Sequence, residues 1–232
     1  MGATDNPRAV IEAQRDHWAA TLYSNPEMYG PAPSEAGRYA AARFLSEGLT
    51  RVLELGAGQG RDTLWLLQAG YDVSALDYAA GALKDIAAKA GQDGRSRLHT
   101  TVHDVRQGLP FRSNSFDACY SHMLFTMALS SAELLGLAKE VHRVLVPGGL
   151  CIYTVRHIGN AHYGAGRDLG DGLYENGGFV VHFFDLPLVN RLALGFQIEE
   201  VFAFEEGDLP RRLWRVTMRR SIGAIASGSA NG

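Results

Sequence analysis

The sequence has few of the features that mark secreted, membrane-spanning or nucleic-acid-binding proteins. Only two of its 232 residues are cysteines, and both lie in apolar, strand-like runs, which favours buried, reduced thiols in a cytoplasmic protein. No run of about 18 or more apolar residues is present, as a membrane span would need, and the N-terminus lacks the apolar core of a signal peptide. The formal net charge of −3 argues against a general nucleic-acid binder. We therefore expect a cytoplasmic protein with neither membrane nor nucleic-acid partners, and its oligomeric state is open.

The order of apolar and amphipathic stretches predicts a single α/β domain. Short apolar runs alternate with helical patterns from Arg51 to Arg156, which is typical of a mainly parallel sheet with helices on both faces. The alternation stops in the glycine-rich residues 157–182, after which two strands joined by a turn follow. We expect one domain over residues 1–220, with residues 1–48 as a helical lid, residues 157–182 as an insertion on the substrate side, and residues 221–232 as a flexible tail.

The stretch VLELGAGQG places an acidic side chain directly before three glycines. Glycines after a strand let a ligand approach the backbone, and the following helix offers free N–H groups. The spacing G-x-G-x-G differs from the G-x-G-x-x-G of dinucleotide-binding folds. Glu54 would repel a pyrophosphate and favour a cation, such as the ammonium of a methionine moiety. Asp77, at the end of the second strand, is placed to accept hydrogen bonds from ribose hydroxyls, so the two carboxylates point to S-adenosylmethionine as cofactor.

Together with HDVRQGLPFRSNSFDACYSHMLF, EVHRVLVPGGLCIYTVRH and the closing strand pair, this stretch makes the chain resemble class I S-adenosylmethionine-dependent methyltransferases over about residues 34–220. A narrower resemblance is to small stand-alone enzymes of the tellurite-resistance type. The family resemblance implies a Rossmann-like sheet of seven strands in which only the last is antiparallel. It also implies methyl transfer to a small-molecule acceptor by in-line displacement. Two alternatives stay open, a dinucleotide-dependent oxidoreductase and a non-catalytic cofactor-binding subunit.

The resemblance also assigns roles to the residues that match the motifs of the family. The methionine part of the cofactor would be lined by Glu54, Gly56, Gly58 and Gly60. Asp77 would hold the ribose, Tyr78 would pack beside the adenine, Asp104 would reach the adenine amino group, and Val105 would contact the ring. Ser121 and His122 would lie near the methionine and methyl end of the donor.

The acceptor side is predicted from residue type and position, because ligands of open α/β sheets bind at the carboxyl ends of the strands. Histidine suits the role of general base. The candidate catalytic residues are His122, His157, His162 and His182, and the candidate substrate-binding residues are Tyr29, Tyr163 and Glu175. His157, His162 and His182, with Asp168 and Glu175, could instead hold a metal ion, although the spacing does not favour one. The basic set Arg211, Arg212, Arg215, Arg219 and Arg220 is either a solvated strand face or a grip for an anionic substrate.

Overall fold

The computed structural model describes residues 7–25, 28–207 and 211–222, and its centre is a seven-stranded sheet. The strand order is β3-β2-β1-β4-β5-β10-β9. Only β10 runs antiparallel to its neighbours, which confirms the predicted Rossmann-like fold. These strands are β1 (Arg51–Leu55), β2 (Asp72–Asp77), β3 (Leu98–Val102), β4 (Phe116–His122), β5 (Leu145–Arg156), β9 (Phe196–Glu206) and β10 (Arg211–Arg220).

Helices cover both faces of the sheet, and several begin at the side-chain caps that their sequences provide. Ser34 accepts a hydrogen bond from Gly37 N before the third helix, and Ser130 forms a capping box with Glu133 before the seventh. The helices are α1 (Pro7–Glu12), α2 (Gln14–Ser24), α3 (Glu35–Ser46), α4 (Arg61–Gln68), α5 (Ala80–Lys89), α6 (Gly91–Arg95), α7 (Ser131–Val144) and α8 (Leu186–Leu192).

Residues 157–182, which the sequence analysis treats as a glycine-rich connection, contain a second sheet. Its three antiparallel strands are β6 (Arg167–Gly170), β7 (Leu173–Asn176) and β8 (Phe179–His182). Gly177 and Gly178 form the turn between β7 and β8 with φ angles of +60° and +87°. A two-residue hairpin turn of this hand needs positive φ, so these glycines build the hairpin rather than interrupt it.

The N-terminal helices pack on the second sheet. The side chain of Gln14 donates to Gly178 O and accepts from Val180 N, both at 2.9 Å, and so continues the pairing of β8. The Trp18 ring lies 4.8 Å from the ring of Phe179. The N-terminal helices and the second sheet, which are distant in sequence, thus pack together as one layer. That this layer opens and closes as a lid stays a prediction.

Apolar side chains alternate between two cores, one on each face of the main sheet. Leu53 and Cys119 belong to one core, and Val52 and Ala118 to the other, as the two-residue period of a strand requires. The two cysteines are buried, free thiols on neighbouring strands. Among the residues that the structure describes, no helix is both long and apolar enough to cross a membrane. The predicted tail at residues 221–232 falls, from residue 223 onward, outside the described part.

The turn after β1 depends on a glycine that packs directly against α5. A Cβ atom at Gly60 would lie 2.3 Å from Ile86 Cγ1, and the residue has a φ of +82°. Gly60→Ala should therefore lower the free energy of unfolding by about 1–3 kcal/mol, measured by urea denaturation. Gly136→Ala is the matched control, because Gly136 is exposed inside α7 with open space around it. That change should stabilise the protein by about 0.5–1 kcal/mol. Equal effects of the two substitutions would contradict the packing argument.

Candidate active site

A cavity of about 490 Å³ opens at the carboxyl ends of β1, β2, β4 and β5. This volume lies within the range of roughly 300–1,000 Å³ that small-molecule sites have. One wall is the glycine turn and the opposite wall is the second sheet, with Trp18 and Tyr29 from the N-terminal segment. The ionisable residues in the walls are Tyr29, Glu54, Arg61, Asp62, Asp77, Tyr78, His122, Arg156, His162, Tyr174, Glu206 and Arg211.

Glu54 is a buried carboxylate at the end of β1 that faces the cavity. Its Oε2 accepts a hydrogen bond of 2.6 Å from the Thr63 hydroxyl. Burial raises the pKa of Glu54 from about 4.5 to about 8, and the charges of Asp62 and Asp77 act in the same direction. The raised pKa means that the charged form of Glu54 has no cation beside it, and a positively charged group bound in the cavity would stabilise that form.

Asp77 joins the end of β2 to the glycine turn after β1. Its Oδ2 accepts from Gly58 N and its Oδ1 from Ala79 N, each at 2.8 Å. Burial raises the pKa of Asp77 in spite of these hydrogen bonds. A Cβ atom at Gly58 would meet nothing within 4 Å, so this glycine leaves open space beside Asp77. Each carboxylate oxygen keeps a lone pair for a ligand hydroxyl.

A narrower cleft continues from the cavity and holds the residues predicted around the adenine. Tyr78, Asp104 and Val105 line it, together with side chains of the N-terminal helices and His103. Both carboxylate oxygens of Asp104 accept hydrogen bonds from the Arg106 guanidinium, at 2.6–3.0 Å. Burial opposes ionisation, but these bonds hold the pKa of Asp104 below its ordinary value. Any contact of Asp104 with a ligand must therefore use its remaining lone pairs.

His122 lies at the centre of the cavity with both ring nitrogens engaged. Nδ1 is 2.9 Å from the Thr154 hydroxyl, and Nε2 is 3.1 Å from Glu206 Oε2 and 3.0 Å from Arg61 Nη2. Arg61 also pairs with Glu206 at 3.1 Å. Burial favours protonated Glu206, but hydrogen bonds and charges of His122 and Arg61 lower its pKa to about 2. His122 is thus held in a charged network and has no free nitrogen to accept a proton from a ligand.

The other predicted catalytic histidines lie in different places, one in the cavity wall and two outside it. His162 lies in the cavity wall, and its ring makes no hydrogen bond to the residues that the structure describes. His157 and His182 lie outside the wall, against expectation. His157 stacks on Trp214 at 4.5 Å, and the buried His182 ring contacts Leu129 O at 2.6 Å; burial lowers the pKa of both histidines.

Three further predicted residues support the cavity from behind. The buried Ser121 hydroxyl donates to Leu55 O at 3.0 Å and so fixes the end of β1. Tyr163 packs edge-on against Tyr174, which lines the cavity. The Glu175 carboxylate accepts from Gly178 N at 2.8 Å and holds the β7–β8 turn.

The sequence analysis misses several charged wall residues, namely Arg61, Arg156 and Glu206. Arg61 could have been predicted as a wall residue from the sequence, because it directly follows the glycine turn. Arg156 and Glu206 enter the cavity only because β4, β5 and β9 end at the same edge. Of the predicted basic set, Arg211 alone lines the cavity, whereas Arg212, Arg215 and Arg219 pair with glutamates on or near β9. In the described part of the chain, no three His, Cys, Asp or Glu side chains are grouped to hold a metal ion.

Comparison with known proteins agrees with this architecture. A sequence profile described as a methyltransferase domain matches residues 52–149. The chain is 32% identical to an uncharacterized methyltransferase of Synechocystis sp. over 104 residues, which are 43% of this chain and 44% of the relative. The fold matches the 1,6-didemethyltoxoflavin-N1-methyltransferase of Burkholderia thailandensis, solved with its substrate and S-adenosylhomocysteine. That match has a TM-score of 0.70 and 20% identity, and covers 95% of this chain and 92% of that one. These matches support a class I S-adenosylmethionine-dependent methyltransferase, with the methyltransferase-domain match confined to residues 52–149.

The comparisons do not name an acceptor for this methyltransferase. The chain spans less than half the length of the first curated relatives that it matches. A further relative, the tRNA N(3)-cytidine methyltransferase of Bos taurus, is 24% identical over 217 residues, or 85% of this chain and 56% of the relative. The absence of a nucleic-acid partner, the cytoplasmic location and the tellurite-resistance resemblance therefore stay predictions.

The raised pKa of Glu54 gives the ligand-free protein a specific pH dependence. The folded pKa of about 8 lies above the ordinary 4.5, so the folded state binds more protons between these pH values. The stability that this contributes is full below the unfolded pKa and is lost as the pH rises through the folded one. Glu54→Gln should therefore raise the melting temperature, most at and above about pH 8. Glu205→Gln, on the exposed surface, is the charge-matched control and should follow the wild-type curve. If the melting temperatures of wild type and Glu54→Gln changed with pH in parallel, the raised pKa of Glu54 would be contradicted.

Proposed function

We propose that this chain transfers a methyl group from S-adenosylmethionine to a small-molecule acceptor. The observation that carries the proposal is the acidic end of the cavity, where Glu54 and Asp77 flank a glycine turn whose central residue leaves space for a ligand. When bound, S-adenosylmethionine supplies an electrophilic methyl group. Glu54 would hold its ammonium, Asp77 its ribose hydroxyls, and the cleft beside Tyr78 and Val105 its adenine.

The chain's own residues would act mainly by positioning, since the donor arrives activated. The second sheet and Trp18 and Tyr29 of the N-terminal segment line the cavity, whose volume suits a small acceptor rather than a folded macromolecule. His162 lies in the cavity wall with a ring that makes no hydrogen bond within the described part of the chain, and it suits the role of general base for a hydroxyl or amine acceptor. We assign His122 a positioning role through Glu206 and Arg61.

The two rival functions differ from this one in measurable ways. A dinucleotide-dependent oxidoreductase would bind NAD or NADP, yet Glu54 would stand against the pyrophosphate at the glycine turn. A non-catalytic cofactor-binding subunit would bind the donor without consuming it. An acceptor-library screen that follows release of S-adenosylhomocysteine by the purified chain separates catalysis from binding alone.

Donor binding should be linked to proton release from Glu54. Because the pKa of Glu54 in the free protein is about 8, the carboxyl is mostly protonated at neutral pH and must ionise to bind an ammonium. Calorimetry with S-adenosylhomocysteine in buffers of different ionisation enthalpy should show release of about one proton near pH 7 and about half a proton near pH 8. Glu54→Gln should abolish the release and weaken binding, and NAD and NADP should bind negligibly. Preferential binding of NAD would refute the proposed cofactor.

Substitution of His162 tests the acceptor side separately from the donor side. With an acceptor from the screen, His162→Ala should lower kcat or raise KM, remove the histidine limb of the pH–rate profile, and leave the affinity for S-adenosylhomocysteine unchanged. His99→Ala, at an exposed position on β3, is the control and should behave as wild type. Wild-type kinetics of His162→Ala would place the acceptor away from the second sheet.

A further inference from the structure

Two arginines in the cavity wall have no acidic partner among the residues that the structure describes. Arg156 ends β5 and Arg211 begins β10, and neither forms an ion pair with the residues that the structure describes. Arg156 Nε is fully buried without a hydrogen-bond partner. Other arginines of β10 differ from Arg211 in this respect, because Arg212, Arg215 and Arg219 each form an ion pair with a glutamate at 2.5–3.2 Å.

The two guanidinium groups converge on one region of the cavity. Arg156 faces Leu213 across the β5–β10 pair, and Arg211 is two residues from Leu213, so both arginines lie on the same face of the sheet. The phenol of Tyr29 is close enough to feel both charges. Burial raises the pKa of Tyr29, and the charges of Arg211, Arg61 and Arg156 oppose that shift.

Leaving these charges unpaired carries an energetic cost. Burial, and then the like charge of Arg211, lower the pKa of Arg156. A buried guanidinium without a counterion loses hydration that nothing in the protein replaces. Such an arrangement is typical of a site whose counterion is a ligand.

The cavity is therefore divided by charge. Glu54 and Asp77 form an acidic end beside the glycine turn, whereas Arg156 and Arg211 form a basic end where β5 ends and β10 begins. The third wall arginine, Arg61, forms an ion pair with Glu206, which lies opposite Arg211 in the β9–β10 pair. The acidic end suits the cationic donor, so the basic end is left for the acceptor.

We propose that the methyl acceptor carries an oxyanion, a carboxylate or a phosphate, which Arg156 and Arg211 bind together. This inference rests on the proposed function and adds the acceptor's chemical class to it. Two guanidinium groups present paired N–H donors that match a planar carboxylate or a face of a phosphate. Bound there, the anion would fix the orientation of the acceptor beneath the second sheet and place its reacting atom toward the donor end.

The test is an oxyanion titration of the chain saturated with S-adenosylhomocysteine. Calorimetry or NMR would follow inorganic phosphate, acetate and succinate, with acetamide and succinamide as neutral counterparts. At least one oxyanion should bind saturably and the amides should not. Arg156→Gln and Arg211→Gln should each weaken that binding by about tenfold or more, and Arg156→Lys should restore part of it. Arg212→Gln, whose side chain pairs with Glu205 outside the cavity, should leave it unchanged.

The outcomes separate this proposal from the proposed function. The inference is overturned if no oxyanion binds, if the amides bind as tightly, or if Arg156→Gln and Arg211→Gln retain wild-type affinity while thermal unfolding shows them folded. If S-adenosylhomocysteine still bound in the same samples, the proposed donor site would be unaffected by that result. Loss of donor binding in the wild type would instead remove the proposed function, and the same titration of the ligand-free chain would still reveal or exclude the anion site. Methylation of acids but not of their amides in the acceptor screen would give independent support.

Discussion

The buried carboxylate of Asp62 is the contact on which the placement of the site depends. It accepts hydrogen bonds from Ser34 N, the Ser34 hydroxyl and the Tyr120 hydroxyl, all at 2.7 Å. These bonds tie the start of α3 and the first turn of α4 to the middle of β4. A Cβ atom at Gly37 would lie 2.5 Å from Asp62 Oδ1, so the close approach of α3 needs a glycine there. Because α4 begins at the glycine turn, the position of the donor end follows from this buried cluster.

Periodicity explains why the main sheet could be predicted. The strands β1, β2 and β4 are short, largely apolar runs that lead into the helices α4, α5 and α7, and Ser34 is a recognisable N-cap, so local residues carry the information. The second sheet was missed because its strands have four residues each and its glycines resemble loop residues. The pair Gly177-Gly178 was the available signal, since adjacent glycines between short apolar runs are a known hairpin turn.

The candidate site divides in the same way. Glu54, Asp77 and Asp104 could be found because each lies at or just beyond the carboxyl end of a strand within the segment that carries the family's motifs. Arg156 and Glu206 could not, and Arg211 could be proposed only as one of five basic residues, because their meeting depends on how β5, β10 and β9 are ordered at one sheet edge. His157 and His182 are reasonable candidates by position, but in the structure the His157 ring stacks on Trp214 and the His182 ring contacts Leu129 O, so neither lines the cavity.

The charge pattern of the cavity gives the proposed reaction a physical logic. In the proposed complex the donor brings a sulfonium and an ammonium; Glu54 would face the ammonium and Asp77 would hold the ribose, in a cavity where charges are more weakly screened than in water. If the basic end bound a neutral acceptor, Arg156 and Arg211 would stay unpaired in that same medium. An anionic acceptor satisfies both arginines and is attracted toward the cationic donor. Arg61 is already paired with Glu206, which also contacts His122, so the acceptor would meet Arg156 and Arg211 while the donor meets Glu54, and the reacting groups would meet between them.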